Sequence, residues 1–357
     1  MKRKIGILIV CLIVIVLVVA FFIKINKIVN TNKEKIKSTE GIATVPTLED
    51  EIQDNTIWCG TFQLIWNDLK NNIVKQDIVF NPQLDVIKNL NKETFTTKDI
   101  SEKYFYKKVG TSSLELKEEI VKAIKEKFNE ESDILDDFNW DNNSEKYFLY
   151  AMLKKEFQFE KAFDELQDGK FGKYDNVKYF GIAKKNKNEE LRKQVVVLYY
   201  NSKDDFAIKL KTKQEDEVIL CKNPEGKSFN EIYSNISNKS NNYKGSKVLQ
   251  KDELLKVPNI KINEKTEFSE IENKEFLFSN GDSYMIDKAI QTIQFELDKT
   301  GGKIKSEAGM AVEKSAILVE ENREFSLDNT FAIFLIEDGK DNPYFAGKIS
   351  DITKFQK

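Results

Sequence analysis

Asp137, Asn139 and Asp141 stand two residues apart, the spacing with which a calcium loop presents its first oxygen ligands. The glycine such a loop needs is replaced by Asn142, and Phe148 takes the place of the closing bidentate glutamate. The triplet therefore reads as an acidic edge, and no metal or cofactor is expected. Glu320 with Glu321, and Asp136 with Asp137, carry groups for acid–base chemistry, but adjacent acids read as a solvated edge. The 357 residues contain no histidine. That removes Ser-His-Asp and Cys-His catalysis, the two-histidine zinc motifs and an imidazole switch near neutral pH. No glycine-rich phosphate loop follows a strand. Cys59 and Cys221 are widely separated and form no metal-type pair. They could bridge outside the cell, and they read equally as two small buried hydrophobes. Catalysis by this chain is not expected.

The elements that would position any site begin with the N-terminus. Lys2, Arg3 and Lys4 form a basic tip over residues 1–4, and Ile5 to Ile23 then runs 19 residues without a charge. At about 1.5 Å per residue this crosses a bilayer as a helix. A cleaved signal would be shorter and end in small residues, whereas Ala20 is followed by Phe21, Phe22 and Ile23. A lipid attachment at Cys11 is disfavoured by the bulky Val10. The expectation is a retained single-pass anchor in the cell membrane. A polar stalk over 24–54 follows, and then an extracytoplasmic domain over 55–357. Lysines flank both sides of the span, but a long domain translocates largely regardless of its charge. Without the basic tip, 53 basic residues remain against 59 acidic ones, a net of −6, which argues against a nucleic-acid partner. The 25 Phe and 12 Tyr supply ample material for a packed core.

Within the domain, Thr61 to Leu69 places Phe62, Ile65, Trp66 and Leu69 on one helical face. Asp77 to Pro82 reads as a short strand stopped by Asn81 and Pro82. Leu114 to Phe128 carries a stripe of Leu116, Ile120, Ala123, Ile124 and Phe128 and reads as an amphipathic helix. Strands are expected at Tyr147 to Leu153, Gln194 to Tyr200, Asp205 to Leu210 and Glu217 to Cys221. Helical character shows around Phe229 to Ile236. Leu254 to Ile262, Ala289 to Leu297, Thr330 to Ile336 and Tyr344 to Ile349 complete a strand-rich C-terminal half. Helices first and strands later, without regular alternation, is an α+β pattern.

Seven segments, taken in order, resemble landmarks of the serpin family. Thr61 to Leu69 resembles its first helix. Asp77 to Ile87 (DIVFNPQLDVI) resembles "NVFFSPLSI", with Asn81 for Ser. Ile120 to Ile134 resembles the helix across the main sheet. Tyr150 to Phe163 (YAMLKKEFQFEKAF) resembles "NAIYFKGKWEKPF", with Phe159 for Trp. Leu254 to Ile262 (LLKVPNIKI) resembles "V-x-LPKFKI". Ala289 to Gly301 (AIQTIQFELDKTG) resembles "VIHKAFIEVNEEG", with Gln291 for His. Phe325 to Gly347 resembles "F-x-ADRPFLFFI…ILFMG". The resemblance implies a serpin-like fold with a large central mixed or antiparallel sheet, smaller sheets and a reduced helix set, since Pro82 to Tyr150 is shorter than usual.

The resemblance also implies a mechanism in which a protease cuts an exposed loop and the cut loop enters a sheet as a new strand. Gly302 to Glu313 has the alternation that entry demands. Gly302, Ile304, Ser306, Ala308, Met310 and Val312 share one small or apolar face, and every charge lies on the other. Gly301 and Gly302 stand where a hinge would bend. Counting along the loop puts the cut near Lys314 or Ser315, and Lys314 would suit the acidic pocket of a trypsin-like extracellular protease. Lys303, Ile304, Lys305 and Glu307 depart from the run of Ala-like residues usual in inhibitory members. That departure and the trimmed early helices keep open a non-inhibitory module that binds another surface protein.

Overall fold

The computed structural model describes residues 40–141, 146–214, 216–304 and 323–355. Strands β1 (Ala43–Thr44) and β2 (Thr56–Cys59) lead into helix α1 (Thr61–Asp68), which continues as a wider π turn to Val74, and then into the short α2 (Asp85–Asn91). β3 (Phe105–Thr111), α3 (Leu114–Phe128) and β4 (Tyr147–Leu153) follow, and Lys154 alone separates β4 from β5 (Lys155–Gln158). Next come β6 (Asp164–Phe171), β7 (Tyr174–Ile182), α4 (Glu189–Lys193), β8 (Val195–Ser202), β9 (Asp205–Lys211), β10 (Asp216–Lys222) and α5 (Phe229–Asn242). The last third holds β11 (Leu254–Pro258), β12 (Ile260–Glu267), β13 (Glu275–Leu277), β14 (Ser283–Met285), β15 (Ile290–Asp298), β16 (Gly301–Ile304), β17 (Glu324–Ser326), β18 (Phe331–Glu337) and β19 (Phe345–Ile349).

These strands build an α+β fold with a seven-stranded sheet in the order β1-β2-β19-β18-β10-β9-β8. Its pairings are antiparallel except for β1 with β2. Two four-stranded sheets accompany it, β17-β11-β7-β6 and β12-β15-β16-β5, with the pairs β3-β4 and β13-β14. β18 reads FAIFLIE and is buried at every position, the continuous apolar run of a strand covered on both faces. β12 instead alternates buried Ile260 and Ile262 with half-buried Lys261 and Asn263, as a strand with one wet face does.

Local chemistry sets the helices. The Ser113 hydroxyl accepts from the Leu116 amide to start α3, and Asn129 in left-handed geometry ends it. Between these caps Leu116, Ile120, Ile124 and Phe128 pack on Phe148 and Tyr150 of β4, forming a core of their own. Ser228 caps α5 by accepting from Glu231, whose carboxylate accepts the Lys227 amide in return. A second satellite core joins Phe62 and Trp66 of α1 to Phe80, Phe268 and Phe276.

Three expectations need correction. Asp77 to Pro82 forms no strand; Ile78 and Phe80 are buried and Val79 between them is exposed, an alternation of strand type with no partner strand among the described residues. Leu254 to Ile262 is two strands, β11 and β12, in different sheets, with Asn259 between them donating its amide to the Lys178 carbonyl. The boundary expected at residue 54 lies inside the folded body: β1 pairs with β2, and Leu48 and Ile52 are buried in the main core. No helix among the described residues is long and apolar enough to cross a membrane. The expected span Ile5 to Ile23 lies outside the described residues.

Candidate functional site

β15 ends in a turn where the Asp298 carboxylate accepts from the Thr300 amide at 2.7 Å and hydroxyl at 2.6 Å. The chain then reverses into β16, which pairs antiparallel with β15 on one side and with β5 on the other. β15 and β5 therefore run parallel, and β16 is a short strand wedged between them. Gly301 has φ +152°, and a Cβ there would come within 2.1 Å of the Phe157 carbonyl oxygen. At Gly302 a Cβ would lie 2.4 Å from the Phe157 ring and 2.9 Å from the Glu296 oxygen. The wedge fits because both residues lack a side chain. Gly302 and Ile304 are buried and Lys303 is exposed. Ile304 stands opposite Phe295 and Lys155.

Past Ile304 the two flanking strands part. β15 pairs with β12 along its length, but with β16 only from Phe295 to Asp298. β4 pairs with β3 on its other side. Between β4 and residues 290–294 of β15 lies a cavity of about 880 Å³. Its lining includes Leu149 and Ala151 of β4, Ile293 of β15, and Ile65 and Trp66 of α1. Gln291 ties β15 to the chain at the start of α1, donating to the Cys59 carbonyl at 2.9 Å and the Thr61 hydroxyl at 2.7 Å. Burial pushes the Cys59 thiol up to about 11, so it is a packed hydrophobe and not a nucleophile. Near the cavity Lys146 pairs with Asp287 at 3.0 Å.

The described chain resumes at Arg323, which is anchored in place. Its guanidinium donates to both Glu253 oxygens at 2.7 and 3.1 Å, to the Tyr243 hydroxyl at 2.9 Å, and to the Ser246 and Val248 carbonyls at 2.6 and 2.8 Å. Burial opposes its charge, but the Glu253 carboxylate outweighs that and holds the guanidinium above its ordinary value. β17 then joins β11 in a different sheet from β16.

Gly301, Gly302 and Ile304 are thus brought together in one strand at the mouth of a cavity. Ser306, Ala308, Met310, Val312, Lys314 and Ser315 lie outside the described residues. Two features had no reading in the sequence. The buried Lys155 carried only a faint signal, its alternation with Phe157 and Phe159. Nothing local marked the Arg323–Glu253 anchor, whose partners are far apart in the chain. Asp137 pairs with Lys265 at 2.6 Å. Among the described residues no group of three His, Cys, Asp or Glu could hold a metal ion.

No protein-family model and no curated protein matches the sequence. Among solved structures, a thyroxine-binding globulin in complex with thyroxine is similar at 11% identity and a TM-score of 0.47, over 84% of this chain and 93% of its own. The thermophilic serpin Tengpin in its native state is similar at 13% identity and a TM-score of 0.46, over 85% of this chain and 90% of its own. Human thyroxine-binding globulin with thyroxine gives 11% identity and a TM-score of 0.40, over 71% of this chain and 77% of its own.

Proposed function

We propose that the chain is a cell-surface, serpin-type protease inhibitor that works by strand insertion after its loop is cut. The observation that carries this reading is the wedge: β16 already sits between β15 and β5 and points into the cavity that continues between β15 and β4. Continued in the register of β16, the chain would set Ser306 beside Ile293 and Leu153, Ala308 beside Gln291 and Ala151, and Met310 beside Ala289 and Leu149. The Lys303, Lys305 and Glu307 side chains would stay on the wet face. Five residues paired on both sides would add about ten backbone hydrogen bonds at about 1 kcal/mol net each. The reading assigns no catalytic residue to this chain. Gly301 and Gly302 seat the entering strand, Lys314 or Ser315 is the bait for a trypsin-like extracellular protease, and Ile5 to Ile23 holds the domain at the membrane.

Ala308→Arg tests it. A buried guanidinium without a partner blocks strand entry, so the variant should still be cut but should lose inhibition and any covalent complex with trypsin. Equal inhibition by the variant and the parent protein would overturn the reading. A second reading, a surface binding module without inhibition, is favoured by the long side chains of Lys303, Lys305 and Glu307. It expects partner binding that is indifferent to Ala308→Arg and no trapped protease from the parent protein.

A further inference from the structure

Among the described residues β5 is an edge strand whose partner within its sheet is β16. Four residues paired to another four-residue strand do not by themselves hold an edge in position. The other ties of β5 run to the seven-stranded sheet. The Lys213 amide donates to the Gln158 carbonyl at 2.8 Å, and Phe159 bridges Thr212. At the opposite end of β5 the Lys154 amide donates to the Tyr104 carbonyl at 3.0 Å, and a second tie is ionic. The Lys155 side chain has no exposed surface and meets Asp216 of β10 at 2.6 Å and Glu337 of β18 at 3.8 Å. Its ammonium lies 4.6 Å from the ring centres of both Tyr104 and Tyr344. The Tyr344 hydroxyl donates to Asp216 at 3.0 Å, and Ser101 donates its amide to Glu337 at 2.8 Å and its hydroxyl to the same carboxylate. Lys155 pairs with Ile304, the last described residue before the cavity.

A buried ion pair is a poor source of net stability, since desolvation offsets most of its attraction. What such a pair does supply is a unique position, because a shifted strand would strand one of the charges. We propose that Lys155 is a positioning residue for strand entry: caged by Asp216 and Glu337, it fixes the start of β5, and with it the end of β4, independently of β16, so that the chain continuing from Ile304 meets β4, the receiving edge, already in register. This rests on the strand-insertion reading and adds the residue that sets its register.

Lys155→Met combined with Asp216→Asn removes both charges of the close pair while keeping their bulk, and Glu337 retains both Ser101 donors. Amide hydrogen exchange of the uncleaved full-length protein is expected to rise at least about tenfold at residues 155–158 and 301–304 while residues 331–337 hold within about twofold. Equal acceleration at all three places, or none at 155–158, would overturn the proposal. Asp216→Asn alone, which leaves the Lys155 ammonium facing Glu337 at 3.8 Å, is the second variant and is expected to move the same two segments in the same direction. The melting temperature before and after a tryptic cut in 305–322 separates the two ideas. No gain in the parent protein sinks strand insertion itself. A gain in the parent matched in full by the double variant sinks the role of Lys155 alone, and a gain reduced by half or more supports it.

Discussion

At Gly301 and Gly302 the missing Cβ atoms are what let one strand pass between two others. Gly302→Ala would drive a methyl into the Phe157 ring and the Glu296 carbonyl, and overpacking of this kind costs about 1–3 kcal/mol. The expected outcome is a lower urea midpoint together with new tryptic cutting after Lys303. At the far end of the loop, Arg323→Met leaves Glu253 buried without its cation. The expected cost is about 3–5 kcal/mol, read as a fall in melting temperature. Cys59 and Cys221 are free and buried, and burial pushes both thiols up to about 11. A thiol whose folded value is raised favours the fold below the unfolded value, and that advantage fades as pH climbs toward the folded one. Both should resist thiol reagents in the native protein at pH 8 and react once it is denatured.

The elements whose side chains face one local core were the ones legible in the sequence. The α3 stripe and the β4 run are found at their expected bounds, because caps and periodicity are local properties. β3, β5, β6 and β7 carried no comparable signal. β6 in particular has Phe171 as its one buried residue, so it shows no apolar face from which to read a strand. The glycines and the apolar face from Ile304 onward were legible as a pattern, whereas the cavity is not, since it is the separation of two strands far apart in sequence. Ile124 is fully buried beneath α3. Ile124→Ala should cost about 2–5 kcal/mol and loosen β4, the far wall of the cavity. Exchange at residues 147–153 should then accelerate more than exchange in β18.

On the scale of the whole molecule, the loop leaves one four-stranded sheet at Ile304 and its return strand is pinned in the other by Arg323. On the strand-insertion reading, Ile304 and Arg323 hold both ends of the intact segment, and a cut would leave one end free to continue β16 into the cavity. A strand of five residues spans roughly 17 Å at about 3.4 Å per residue, and the ten residues 305–314 that a cut after Lys314 would release are about twice that long when extended. The direct test is thermal melting of the full-length protein in detergent, before and after a single tryptic cut within 305–322, with the digest checked on a denaturing gel. Strand insertion predicts a rise of more than about 10 °C, as expected when about ten hydrogen bonds are added to a domain of this size. A melting temperature that stays the same or falls after that one cut would contradict it and leave a static scaffold whose cavity is not meant for its own chain.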